Sequence, residues 1–441
     1  MPTTEPTTKY QCPGERGFIS ESVHLARLSA FYPACRECIH RHSTGQIPLK
    51  TVEHLKETES RIERDSLLTD EGVRGIYLNE LTRERAAAYA AALASLLWRD
   101  TPLAARRDLR TPIGAASVRL GPGVVVGFDE RPSSPDIAVG VVRALRTMSC
   151  RVIDVGQVTR PGFSFAVSHM QAGAGIYVTG AGCAPVCSGL DFEHRGAVPI
   201  SAGAALTAIE QLAQRPNPRP SRQAGQLRAF HAAIPYEASL WKHFHALRPL
   251  KVVCGCSSEL VSDLLSRIFE KLPGEIFLTK LPVRQRNLPR AADADVAILA
   301  DEVRLHRGHL GLLIDDDCQT CYALDERGEL IDPLTVTRLL LRFAQLQHPS
   351  EPVAVASTMA ETFPEAIDGG ATAESMSRSM TAENATFGGG ESGRYWFRES
   401  VPVCDAILTL ARLLQLLSRS DADFSLVVET AERNAIEVKA V

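Results

Sequence analysis

VVVGFDERPSSPDIAVGVVRALRTMSCRVIDVG, residues 124–156, decides the fold. VVVGFDE (124–130) is a β-branched run ending in a polar turn, and RPSSPDIAVGVVRALRTMSC (131–150) carries apolar residues at helical spacing. CRVIDVG (150–156) is strand-like again. Strand, helix and strand in so short a stretch make a parallel βαβ unit, because parallel strands need a crossover. The SSP at 133–135 is expected to start the helix. Ser133 or Ser134 would accept from backbone amides, and Pro135 suits the first turn.

The same texture runs outward. PGFSFAVSHMQA (161–172) reads as a helix and AGIYVTG (174–180) as a strand. PNPRPSRQ (216–223) reads as a linker, after which LKVVCGC (250–256) opens a second unit, with ADVAILAD (294–301) and HLGLLID (309–315) as buried-strand candidates. A third unit starts near PVAVAST (352–358), and VCDAILTLARLLQLLSR (403–419) has the spacing of a core-facing helix. FSLVVET and AIEVKAV, within 423–441, are expected to pair as a hairpin. No internal sequence repeat is evident, although three such units in series suggest structural repetition.

At 441 residues, 45% apolar and 23% charged, the chain has the composition of a soluble protein of about three domains. A net charge of −4 offers no electrostatic case for nucleic acid or an anionic membrane surface, and the basic cluster Arg106, Arg107, Arg110 reads as a solvated face. No apolar run approaches the roughly 20 residues that span a bilayer, and the N-terminus lacks a secretory signal. A cytoplasmic location is expected, and eleven cysteines, an odd number, fit reduced thiols.

Five stretches, in order, resemble the α-D-phosphohexomutases, the phosphoglucomutase and phosphomannomutase superfamily. They are GVRGIYLNELT (72–82), GFDERPSSPDIAVGVV (127–142), VTGAGCAPVCSGLD (178–191), IDDDCQTCYALDERGELID (314–332) and FGGGESGRYWF (387–397). The resemblance covers roughly residues 67–420. It implies three tandem α/β/α domains, with boundaries near 67–218, 245–345 and 346–422, and a separate N-terminal extension over 1–66. The superfamily's fourth, phosphate-gripping domain would be reduced to a remnant at 423–441.

The resemblance also implies an activity, isomerisation of hexose 1- and 6-phosphates by phosphoryl exchange with a serine. Ala181 stands in the serine's place and has no oxygen to phosphorylate; loss of a nucleophile costs on the order of 10⁶ in turnover. The following His and Asn are Gly182 and Cys183, and the lysine proposed to assist proton transfer is Asp191, which repels an incoming phosphate. Thr179, Cys183 and Ser188 are the substitute nucleophiles to consider. Of the superfamily's three Mg²⁺ aspartates, Asp315 and Asp317 are kept and the third is Gln319. Cys318 and Cys321 form a CxxC that reads as buried thiols. In the sugar loop, Glu391, Ser392 and Arg394 are the candidate substrate contacts, and Arg74 and Arg131 match arginines near the active centre. For Arg74, an anion contact and a structural salt bridge stand as equal alternatives. The expected protein is a pseudoenzyme that binds a hexose phosphate or serves as a scaffold for a protein partner. An active mutase with a displaced nucleophile and a regulator with a zinc-dependent module are the alternatives.

Nothing in the superfamily accounts for the N-terminal cysteines. Cys12, Cys35 and Cys38, with His40 and His42 just after, can supply the four ligands of a tetrahedral zinc site, and the expected set is Cys12, Cys35, Cys38 and His42. An iron–sulfur centre and free thiols remain alternatives. The interval between Cys12 and Cys35 suits a helix over SESVHLARLSAFY (20–32), started by Ser20 or Ser22, with His24 on its face.

Overall fold

The structure, a computed structural model, describes residues 9–59, 66–100, 121–215, 221, 223–283, 293–400 and 403–439. Arg106, Arg107, Arg110 and most of the expected linker lie outside them.

The quoted stretch folds as read, with strands Gly123–Phe128 and Arg151–Gln157 parallel and helix Ser134–Thr147 between them. They belong to a seven-stranded sheet. Its middle runs Arg151–Gln157, Gly123–Phe128, Ala174–Val178, Cys187–His194, the last antiparallel to its neighbour. Beyond Cys187–His194 the strand Gly72–Ile76 adds antiparallel. Helices Arg83–Asp100, Ser134–Thr147 and Ala204–Ala213 cover one face through Leu93, Val141 and Leu206, against Val124, Val126 and Ile176 of the sheet. Helix Arg160–His169 packs Phe163 and Val167 on the other face, against Val125 and Tyr177. Strands buried on both faces read as continuous apolar runs, which is why they were visible in the sequence.

Two four-stranded sheets follow, ordered Glu275–Lys280, Lys251–Cys256, Leu310–Ile314, Cys321–Leu324 and Ile367–Asp368, Val353–Val355, Phe387–Gly389, Tyr395–Phe397. Numbered within each unit, both have the order 2-1-3-4 with strand four antiparallel, as does the middle of the large sheet. Structural repetition is therefore present where no sequence repeat was. One apolar core runs through both smaller units, joining Val252, Leu265 and Leu312 to Leu340, Phe387, Leu410 and Leu413.

Three expectations need correcting. ADVAILAD is the start of helix Ala294–His306: Asp293 accepts from the Asp295 amide at its N-terminus, and Val296, Leu299 and Val303 recur at helical spacing. The short apolar run alone could not distinguish strand from helix. FSLVVET and AIEVKAV form no hairpin but one helix, Phe424–Lys439, which buries Phe424 and Ala431 in the same core as Leu340. Neither Ser133 nor Ser134 caps its helix through a side chain; Ser134 Oγ instead donates to Asp129. Pro135 does sit in the first turn. Among the described residues no helix is long and apolar enough to cross a membrane.

Candidate active site

The three superfamily-like loops occupy one topological position. Residues 178–187, 314–321 and 389–395 each join strands three and four of a 2-1-3-4 unit. They converge. Thr320 and Arg394 form a β-bridge, Cys321 N donates to Gly393 O at 2.9 Å, and Tyr322 Oη donates to Ser392 O at 3.1 Å. Arg131 ties the first loop to the second. It donates to the carbonyls of Cys183 (3.1 Å), Ala184 (2.8 Å) and Cys187 (3.0 Å) and to Asp316 Oδ2 (3.1 Å).

At the first loop Ala181 is half-buried, its amide donating to Thr179 Oγ1 at 3.0 Å, and Gly182 takes a φ of 77° that suits glycine. Arg74 Nε donates to Ala181 O at 3.3 Å, and Arg74 Nη1 lies 2.5 Å from Asp191 Oδ1. Arg160 Nε stands 3.7 Å from Asp191 Oδ2, and its Nη1 pairs with buried Glu193. Arg74, Arg160 and Asp191 are all buried. Burial alone would depress the Arg74 guanidinium, but Asp191 overrides it and holds Arg74 raised; Arg160 is raised likewise, with Glu193 as its main support. In this structure Arg74 forms the salt bridge with Asp191. Arg160 was missed in the sequence, and only its place at the start of the helix after Thr159 pointed to it.

Of the substitute nucleophiles, Thr179 and Ser188 are fully buried, and Cys183 is half-buried on the loop. Ser188 Oγ has no hydrogen-bond partner among the described residues.

In the second loop Asp315 Oδ1 accepts from the Asp316 amide and Asp317 Oδ1 from the Gln319 amide, both at 2.9 Å. Gln319 Oε1 accepts from Cys404 Sγ at 3.1 Å. Burial, then the neighbouring Asp315 carboxylate, pushes Asp317 up to about 6. The superfamily implies Mg²⁺ here, but the third ligand is a neutral amide already engaged, and Asp316 is committed to Arg131. Among the described residues no three His, Cys, Asp or Glu side chains converge as a ready-made metal site. The donor set does not fit the three-carboxylate chemistry of the superfamily. Cys318 and Cys321 are buried, with their thiols raised by burial.

At the sugar loop Glu391 and Ser392 are exposed, whereas Arg394 forms a two-pronged pair with Glu71 and donates from Nε to Thr320 Oγ1 at 3.2 Å. Burial would raise Glu71, but Arg394 outweighs it and lowers Glu71 to about 2. A cavity of about 660 Å³ opens here, lined by Asp70, Glu71, Thr358, Glu391, Arg394 and Trp396 among others. A second, of about 550 Å³, lies between the first two units beside Glu130, Arg131, Ser258, Asp263 and Asp316. There Glu130 accepts from the Glu259 and Leu260 amides at 3.0 and 3.1 Å, capping helix Glu259–Phe269 from a neighbouring unit.

In the N-terminal extension the histidine beside the cysteines is His24, not His42. His42 is exposed and accepts from Arg41, while His24 is buried with Nδ1 3.7 Å from Cys12 Sγ.

Comparison with known proteins agrees with this architecture. Residues 66–217 match the model of the phosphoglucomutase/phosphomannomutase alpha/beta/alpha domain I. The chain is 25% identical over 350 residues to a phosphohexose mutase of Xanthomonas campestris, covering 73% of this chain and 75% of that one. A phosphoglucosamine mutase of Paenarthrobacter aurescens is 24% identical, with 85% and 83% covered. The crystal structure of a phosphoglucomutase/phosphomannomutase family protein from Burkholderia thailandensis superposes with a TM-score of 0.70 at 19% identity, covering 84% of this chain and 80% of that one. Ordered motifs, a matched first domain and a shared fold converge: residues 66–217 carry the phosphoglucomutase/phosphomannomutase domain I, and the chain as a whole resembles the α-D-phosphohexomutases.

Proposed function

We propose that this protein is a non-catalytic phosphohexomutase, retained as a folded scaffold rather than as a mutase. The observation that carries the reading is Asp191 in the place of the superfamily's lysine, ion-paired with Arg74 beside Ala181. A phosphoryl group entering there meets no nucleophilic oxygen at residue 181 and a carboxylate in place of an ammonium. The arginines that could have held a phosphate are engaged within the chain: Arg74 by Asp191, Arg131 by loop carbonyls and Asp316, and Arg394 by Glu71. This favours the scaffold over a hexose-phosphate binder, because a ligand phosphate would have to displace short internal pairs. The acidic residues Asp70, Glu71 and Glu391 around the sugar-loop cavity act in the same direction.

The test is incubation of the purified chain with glucose 1,6-bisphosphate and Mg²⁺, followed by intact mass. The unmodified mass is expected, with no interconversion of glucose 1- and 6-phosphates and no binding of either tighter than about 1 mM by calorimetry. A phosphoryl adduct on Cys183, Thr179 or Ser188 would overturn the proposal.

A further inference from the structure

The N-terminal extension poses a stability problem that its side chains answer. Strands Lys9–Tyr10 and Ile19–Ser20 pair, helix Glu21–Ser29 follows with Ser20 accepting from the Val23 amide, and the short 3₁₀ turn Pro33–Glu37 and helix Leu49–Glu59 complete it. Its buried apolar content is small: Tyr10 sits with Cys12 and Cys38 in one cluster, and Leu28 and Ile47 with Cys35 in another. Units of this size rarely stand on such a core without a covalent or metal staple. All three cysteines are buried and free.

Two of their contacts have the spacing of zinc ligands. Cys38 Sγ lies 3.8 Å from Cys12 Sγ, and His24 Nδ1 lies 3.7 Å from the same sulfur. A tetrahedral zinc with Zn–S near 2.3 Å and Zn–N near 2.0–2.1 Å separates its ligands by about 3.8 Å for S···S and about 3.6 Å for S···N. The imidazole is oriented for that use. Its Nε2 is 3.1 Å from the Ser43 carbonyl, which fixes the proton on Nε2 and leaves the Nδ1 lone pair facing Cys12. Tyr10 stacks on the ring at 4.1 Å between centroids, holding its plane. Cys35, three residues before Cys38, is buried beside Leu28 and Ile47. The three sulfurs and the imidazole do not converge on one point as they stand. Ion binding is what would draw Cys35 in and close the set.

We propose that Cys12, His24, Cys35 and Cys38 form a structural zinc site that staples the N-terminal extension, with His24 rather than the exposed His42 as the nitrogen ligand. A Cys₃His set with no open position is a folding device, not a catalytic one. It also accounts for a buried histidine on a helix whose other buried residue is Leu28.

The test uses the full chain purified under reducing conditions, with metal content by mass spectrometry. About one zinc per chain is expected in the parent protein and in His42→Ala, falling about tenfold or more in His24→Ala and Cys12→Ser. Since His24→Ala could act by unfolding the segment, His24→Cys serves as the second variant; a Cys₄ set restores zinc if residue 24 is a ligand and does not if it is only packing. Cobalt exchanged into the parent protein is expected to give the intense visible bands of a tetrahedral thiolate site. No zinc in the parent and no cobalt spectrum, stoichiometric iron in place of zinc, or full zinc in His24→Ala would each overturn the assignment.

Discussion

The loop at 178–187 and the loop at 314–321 hold the same place in consecutive 2-1-3-4 units, yet their charges have been resolved in opposite ways. In the first, the Asp191 carboxylate is met by two buried arginines, Arg74 and Arg160. In the second, one carboxylate has found Arg131, while Asp317 stays buried beside Asp315 and is pushed up to about 6. A buried carboxylate is neutralised where the fold brings an arginine to it. The first loop gives Asp191 two such arginines, and the second gives Arg131 to Asp316.

The strongest way to break this comparison is Arg74→Ala. It removes the closer of the two buried arginines on Asp191 and leaves Arg160 3.7 Å away, so the cost should lie below the roughly 3–5 kcal/mol of a fully stranded buried charge. Urea unfolding should show that loss, and Arg74→Ala combined with Asp191→Ala should recover part of it, since the residues couple directly. A loss under about 1 kcal/mol would mean that the pair is not what holds the loop.

Asp317→Asn should move stability the other way. The folded carboxyl is raised from an ordinary 3.8 to about 6, so its stabilising contribution is complete below 3.8 and lost as pH rises through 6. At pH 7 the ionised group is a burden, and the amide should relieve about 2–3 kcal/mol at most. The fall in stability between pH 4 and 6 should flatten in the variant. A rise of several degrees in the parent's Tm on adding millimolar Mg²⁺ would instead mean that the loop still holds a cation, which would erase the contrast between the two loops.

Much of this was legible from sequence because doubly covered strands are written as uninterrupted apolar runs, and VVV at 124–126 or LGLLI at 310–314 admits few other readings. Ala181 and Asp191 were legible because each stands at a fixed offset within a motif. What stayed hidden depends on partners far apart in the chain. Arg160 belongs to the site only because strand Cys187–His194 returns beside its helix, bringing Asp191 and Glu193 to it. His24 was read only as a helix-face residue because helical spacing fixes a face, not what folds over it. Helix Ala294–His306 was misread because eight residues with apolar and polar positions mixed fit either period, and Asp293, whose cap decides the matter, lies just outside the quoted run.

Glu130→Ala probes the brace between the first two units. Its carboxylate accepts from two amides at the start of helix Glu259–Phe269, where the orphan donors and the helix dipole favour an anion. Loss of such a cap costs about 1 kcal/mol. The drop should be visible as a lower urea midpoint, with Glu130→Gln recovering less than half because the amide is a neutral acceptor. Full recovery by Gln would show that hydrogen bonding, not charge, makes the brace.

The smallest effect is expected at the third loop, where Arg394 pairs with Glu71. The outcome resembles the first loop, but the Glu71 side chain is 40% exposed, so solvent screens the pair and its worth falls to about 0.5–1 kcal/mol. The sign follows from the lowered carboxyl: from an ordinary 4.5 down to about 2, its contribution is present above 4.5 and lost as pH falls toward 2. The stability gap between the parent and Glu71→Gln should therefore be constant near neutrality and close between pH 4.5 and 2. Salt should shrink it at pH 7, which it should not do to the Arg74–Asp191 pair, because ions reach one and not the other. If the gap persists below pH 2, the contact holds the first and third units together by packing, and the third loop joins neither pattern.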